Sequence, residues 1–344
     1  MRVENTILLG KRSGSDGTRR LSSERWKWIL DVSAVVFLTL TTVLIQVQKL
    51  GISDTERLDY IERVQLARHN AVLKGTAPNP WSYRLLSEYI SEAFVRAASA
   101  IQLPRPVTVG FLSFRILQNL FIFSAALLFY RRIGLTARQS LIGIVLLSYS
   151  ISHAWYDSDL SFNTYGDICF YLLAACLVLM NRHVWLLPVS FFAALNRETS
   201  LFIPSLLIAA LVGSGFKAWR SWVPQISLAV TCFVLQCATL LILRILIHPS
   251  HSWPWGNVPG WQTLWLNLTS IRTLLLLGLT ISILPLATLW NFGSLPAWLK
   301  GVFWMMVPVW FIVHLSLAFA DETRYFLVPI ALVFIPGAMY SREH

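Results

Sequence analysis

Carboxylates are scarce in this chain, and most of them gather in four groups. They are Asp54, Glu56, Asp59 and Glu62; Asp157, Asp159 and Asp167; Glu198; and Asp321 with Glu322. Each group stands at the end of an apolar segment or in a loop between two. A carboxylate held near a bilayer surface can serve as a general base, deprotonating a hydroxyl that attacks a membrane-held substrate. Asp59, followed by Tyr60, is the first candidate for that role. The plainer account of Asp59 is a solvated helix face on which it pairs with Arg63 at i,i+4 spacing. Asp54 and Glu56 could instead join it around a divalent cation, although no ligand set stands out clearly enough to name.

Arginines lie close to these acids. Arg84 follows Tyr83 and could offer a planar guanidinium to a phosphate, or could simply snorkel at the interface. Arg197 and Glu198 fall between two apolar runs too short to span comfortably. An ion at bilayer centre costs ~2.5–3.5 kcal/mol on insertion scales, so this pair requires partners or a watery cavity. A buried structural ion pair would also satisfy it. Glu322 and Arg324 offer both a carboxylate and a phosphate-binding guanidinium, or else form an ordinary charged turn. Asp157 and Asp159 are candidates for further substrate contacts. His248 and His251 give a weak metal signal, and Trp253, Trp255, Trp261 and Trp265 fit an interfacial aromatic belt. Asn267-Leu268-Thr269 is a glycosylation sequon.

The elements that position these residues are apolar helices. Hydrophobic residues make up 56% of the 344 and charged residues only 13%, which excludes an ordinary soluble domain. The net charge of +11 would suit nucleic acid in a soluble protein. Here the basic residues sit in short loops, the pattern that orients membrane helices, which argues against nucleic acid. The expected fold is an all-α, polytopic membrane protein of about ten transmembrane helices. The spans fall near 28–47, 107–130, 139–153, 166–181, 184–195, 199–213, 222–247, 271–290, 301–319 and 325–341. Residues 1–27 read as a polar cytoplasmic tail, and 28–344 as one membrane domain. Cys169, Cys176, Cys232 and Cys237 all fall in apolar runs without zinc-site spacing, so they read as packing residues.

Seven Lys or Arg residues precede the first span, so the N-terminus is expected in the cytoplasm. Reading 184–195 and 199–213 as two short helices with an outward polar turn returns Lys217, Arg220, Lys300 and Arg342 to that side, along with the C-terminus. The loop 50–106 is then external. Within it, apolar residues from Leu85 to Ala97 recur at helical spacing opposite Glu88, Glu92 and Arg96, which predicts an amphipathic helix on the membrane surface. Thr55 to Leu73 reads as a second, more polar helix, separated from the first by Ala77-Pro78-Asn79-Pro80.

Asp59-Tyr60, the helix through Ala67-Arg68 to Gly75, Tyr83-Arg84-Leu85-Leu86, Ala194 to Thr199, and Glu322-Thr323-Arg324 together resemble the GT-C class of integral-membrane glycosyltransferases. Ala194 to Thr199 and Glu322-Thr323-Arg324 resemble bacterial members, and the expected type is one without a soluble C-terminal domain. The resemblance implies transfer of a sugar from a polyprenyl-phosphate-linked donor to a glycan, lipid or protein acceptor, with inversion, at the extracytoplasmic face of a bacterial inner membrane. It makes Asp59 the general base and places Arg84, Arg197 and Arg324 near the lipid-linked phosphate. A transporter or lipid flippase using Arg197 and Glu198 as its intramembrane site is the main competing expectation, followed by a non-catalytic membrane subunit.

Overall fold

The computed structural model describes residues 15–154, 160–214, 219–247 and 260–340, with side chains described for 26–154, 160–211, 222–247 and 260–340. The expected contributors Asp157 and Asp159, and the histidines His248 and His251, lie outside the described residues. Every regular element among the described residues is helical.

The chain begins with α1 (Ser15–Gln48), whose apolar part is Trp26–Gln48. Ser53 then starts α2 (Asp54–Asp59) through a capping box, its hydroxyl accepting from the Glu56 amide while Glu56 accepts from the Ser53 amide. This helix continues through a π turn at Tyr60–Gln65 into α3 (Leu66–Leu73). Gly75, with φ of +67°, allows the chain to leave that helix by a left-handed turn. A single 3-10 turn at Trp81–Tyr83 precedes α4 (Leu85–Ala100). Pro106 opens α5 (Pro106–Arg132), and a second capping box, Thr136 with Gln139, opens α6 (Ala137–His153).

Next come α7 (Phe162–Leu179), α8 (Leu186–Asn196), a 3-10 stretch at Glu198–Phe202, α9 (Ile203–Ser214) and α10 (Trp219–Leu246). Then α11 (Trp261–Thr269) meets α12 (Ile271–Ile281) at a 74° bend, and α13 (Leu284–Trp290) and α14 (Ala297–Leu317) follow. The last segment is one winding helix over Thr323–Met339. It runs from a 3-10 turn through α15 (Leu327–Pro329) and a π turn into α16 (Ile335–Met339).

Five of these helices are long and apolar enough to cross a membrane: Trp26–Gln48, α5, α7, the Trp222–Leu246 part of α10, and α14. A sixth is reached if the bent pair α11–α12 counts as one span. The expected count of about ten is therefore not what the helix lengths give. The expected span at 271–290 is broken at Ser282, a non-glycine residue with φ of +55°, and α12 and α13 are each well short of the ~20 residues a crossing needs. Around 196–198 the chain breaks as the polar tripeptide suggested, with Arg197 extended (φ −166°, ψ 151°) between α8 and the 3-10 stretch.

The helices divide into wall and interior. Only 28% of the most apolar window is buried in α1 and in α10, against 67% in α7. Leu40 and Leu44 of α1, and Val230, Phe233 and Leu241 of α10, present bare apolar surface, which is stable against lipid and costly against water. By contrast Ile330 to Ile335 are buried, so the C-terminal helix is wrapped by its neighbours. The loop helices are fastened to this bundle at Gly110 of α5, where an added Cβ would come within 2.7 Å of the Val95 backbone. Only glycine allows α4 to lie that close.

Candidate functional site

The site is built around the break after α8. Asn196, the last residue of that helix, is fully buried, and its amide ties α8 to two other helices, α4 and α7. Nδ2 donates to the Asn163 carbonyl at 2.7 Å and to Asp167 Oδ1 at 3.1 Å, while Oδ1 accepts from the Ser87 hydroxyl of α4 at 2.5 Å. Thr199 donates its hydroxyl to the other Asp167 oxygen, and Tyr171 donates to the Thr199 carbonyl at 2.5 Å. The Tyr171 hydroxyl satisfies a backbone carbonyl that the break leaves open, and the other bonds fix the break against α4 and α7.

Arg197 then points into the bundle. Its Nε lies 3.7 Å from Asp167 Oδ2, Nη1 donates to the Thr164 hydroxyl at 3.1 Å, and the guanidinium covers the Tyr325 ring at 4.8 Å. Both ions are buried, so Asp167 is the counter-ion that makes a buried Arg197 tolerable. Asp167 thus stands inside α7 as an interior partner and not as a loop acid. Glu198 turns the opposite way and meets Arg84, with Oε2 3.2 Å from Nη2 and 3.3 Å from Nε.

Arg84, Arg197, Glu198 and Glu322 share the wall of one cavity of about 580 Å³. Four of the residues singled out by sequence are therefore brought together. Glu322 accepts from Arg324 and, at 2.5 Å, from the Tyr325 hydroxyl. Arg324 itself stands behind the wall, buried and donating also to Ser161. Asp59 is not part of this lining. It is half exposed at the end of α2 and pairs with Arg63 at 2.9 Å, the i,i+4 contact that its spacing allowed.

Other wall residues escaped the sequence analysis. Arg244 lies near the end of α10 with its guanidinium 5.7 Å from the Tyr83 ring. Asn79, Trp81, Thr199, Thr263, His314, Phe319 and Tyr325 add to the polar and aromatic lining. Asn79 and Trp81 flank the Tyr83-Arg84 pair closely enough to have been found with it. Arg244 and His314 interrupt the last turns of apolar helices, a signal that the sequence analysis did not use. The ends of α10 and α14 both contribute to the lining, so the wall needs these distant segments to converge.

A second ionisable cluster lies outside the wall. His69 of α3 is fully buried, with Nδ1 2.6 Å from Glu88 and Nε2 3.0 Å from Glu92 of α4, and its ring edge packs on Phe111 of α5. Burial opposes the charged imidazole, but the two carboxylates outweigh it and hold the His69 pKa above its ordinary value. Burial likewise opposes the Glu92 carboxylate, and Arg96 and His69 together hold it below its usual range. Among the described residues no group of three His, Cys, Asp or Glu side chains is placed to hold a metal ion.

Comparison with protein-family models, with curated proteins and with solved structures found no match.

Proposed function

We propose that this protein is a membrane glycosyltransferase that takes a sugar from a polyprenyl-phosphate-linked donor, with the cavity as its catalytic chamber. The observation that carries the reading is the wall itself. The guanidiniums of Arg84, Arg197 and Arg244 outnumber the carboxylates of Glu198 and Glu322 in the wall, beside the rings of Trp81, Tyr83 and Tyr325. Guanidiniums suit a phosphate oxygen whose negative charge grows as the sugar departs. Aromatic faces and the amide and hydroxyl of Asn79 and Thr263 suit a sugar ring. A volume of about 580 Å³ falls within the range of small-molecule sites.

The membrane arrangement that accompanies this reading puts both termini in the cytoplasm and counts α6, α8, α9 and the C-terminal helix as full or partial crossings. Every wall residue then belongs to a loop or helix end on the extracytoplasmic side. That is where a lipid-linked donor and a glycan, lipid or protein acceptor would meet. Asp59, the base implied by the resemblance, lies outside the chamber wall, so the proposal rests on the cavity and not on Asp59.

The test is sugar transfer by purified protein in lipid nanodiscs, using a panel of radiolabelled polyprenyl-phosphate sugars and a mixed acceptor fraction. Arg84→Gln and Arg244→Gln are run alongside, with direct binding of undecaprenyl phosphate measured on each. Losing one charge-assisted contact of ~1.5–3 kcal/mol weakens donor binding by about 10- to 150-fold. If undecaprenyl phosphate does not bind and no donor turns over, the proposal falls.

A further inference from the structure

Arg197 reaches the chamber wall already held on three sides. It is only 5% exposed, and one face of α7 presents Thr164 and Asp167 to it, three residues apart. Nη1 donates to the Thr164 hydroxyl at 3.1 Å, and Nε is enclosed 3.7 Å from Asp167 Oδ2. The guanidinium carbon stands 4.8 Å from the centre of the Tyr325 ring. That leaves Nη2 as the nitrogen with surface toward the chamber that Arg197 lines. A long side chain held in this way has little rotamer freedom left to lose when an anion binds.

The carboxylate that holds it is itself fixed. Asp167 accepts from Asn196 Nδ2 at 3.1 Å through Oδ1, and from the Thr199 hydroxyl through Oδ2. Neither Thr164 nor Asp167 belongs to the chamber lining, so neither meets a ligand there. Stability alone does not call for such a pair, because apolar side chains of similar volume often replace a buried ion pair without loss. Apolar packing cannot, however, aim a guanidinium.

We propose that Thr164 and Asp167 are positioning residues, which hold Arg197 so that Nη2 meets a phosphate oxygen of the chamber's ligand. The proposal rests on the transferase reading for the phosphate alone, and not for the sugar or the acceptor. Thr164 restrains the guanidinium at Nη1 and Asp167 restrains it at Nε. Neither residue makes or breaks a bond.

The direction of the effect separates positioning from charge balance. Asp167 is a negative charge close to the proposed phosphate site, so neutralising it would by itself tighten an anion. Weaker binding in Asp167→Asn therefore reports a guanidinium that has lost its aim. Thr164→Val removes one hydroxyl and no charge, which keeps the test decisive if Asp167→Asn does not fold.

The test is titration of the purified full-length protein in nanodiscs with undecaprenyl phosphate and, separately, with inorganic phosphate. Wild type, Thr164→Val, Asp167→Asn, Arg197→Gln and the two double variants with Arg197→Gln are compared. Arg197→Gln is expected to weaken both ligands by about 10- to 150-fold, Asp167→Asn by about 10-fold and Thr164→Val by about 2- to 10-fold. Once Arg197→Gln is present, adding either α7 change is expected to alter affinity by less than about 2-fold. A merely structural role would weaken binding equally with and without the guanidinium.

Losses that persist at full size in the Arg197→Gln background overturn the proposal and leave the transferase reading standing. So does tighter binding in Asp167→Asn. Coupling seen with inorganic phosphate, while undecaprenyl phosphate does not bind, supports the positioning role and counts against the transferase reading. If neither phosphate binds the wild-type protein, the proposal falls whatever a transfer assay shows.

Discussion

Arg84 and Glu198, 114 positions apart in the chain, meet at 3.2 Å, and that contact ties the segment before α4 to the break between α8 and α9. The pair closes one side of the chamber. Neither side chain is open to bulk water, at 11% and 26% exposure, so each partner leaves the other poorly compensated when removed. Arg84→Ala and Glu198→Gln are each expected to lower stability by roughly 1–3 kcal/mol. The double variant should lose less than the sum of the two. Thermal unfolding in detergent checks this, and strictly additive losses would show that the contact carries no energy.

Gly166 faces the Asn196 side chain so closely that an added Cβ would sit 2.6 Å from Oδ1. The amide cannot retreat, because both of its ends are committed to Asn163, Asp167 and Ser87. Gly166→Ala is therefore expected to destabilise by about 1–3 kcal/mol and to disturb ligand binding in the chamber. A melting temperature equal to that of the wild type would contradict the packing described here.

The His69 cluster makes stability depend on pH. The His69 pKa is raised above 6.5 in the folded protein, so its contribution is complete below the unfolded value and fades as pH rises through the folded one. Glu92 is lowered below 4.5, so its contribution is complete above that value and fades as pH falls through the lowered one. The stability difference between wild type and His69→Gln is expected to be largest between about pH 4.5 and 6.5 and to shrink at higher pH. Unfolding curves across pH 5 to 9 measure it; a difference that grows with pH would refute the assignment.

Asn267 belongs to a sequon but is 2% exposed, and it holds three backbone groups at the rim of the chamber. Nδ2 donates to the Leu315 and Ala318 carbonyls at 2.8 and 2.7 Å, and Oδ1 accepts from the Ala320 amide at 3.0 Å. Intact-mass analysis from a glycosylating host should find no glycan there. Asn267→Ala should cost about 2–3 kcal/mol, since it strands buried backbone groups. Thr269→Ala destroys the same sequon but removes only a local bond to Trp265, and should be close to neutral.

Asp59→Asn tests the base that the resemblance implies. The exposed Asp59–Arg63 pair contributes within about 0.5 kcal/mol, so the variant should fold normally. If the base is in the chamber, its turnover is retained. Abolished turnover in a folded Asp59→Asn would return the role to the first loop.

Local chemistry in the sequence was enough to determine the helical membrane class and the interruption at Asn196-Arg197-Glu198. Apolar periodicity and a charged tripeptide act over a few residues, and those are legible without a fold. The number of spans was not legible. Whether α8, α9, α12 and α13 reach across a bilayer depends on helix breaks such as Ser282, and the local signal there is weak.

Only tertiary structure decided who meets whom. It placed Asp167 inside as the partner of Arg197, set Arg324 behind Glu322, left Asp59 with its helical neighbour Arg63, and brought Arg244 and His314 to the chamber. Apart from the local Asp59–Arg63 and Glu322–Arg324 contacts, these outcomes rest on contacts between segments distant in the chain, selected by packing and by the cost of an unpaired buried charge. A sequence lists the charges in such a protein. The counter-ion of each is set by which helices lie side by side.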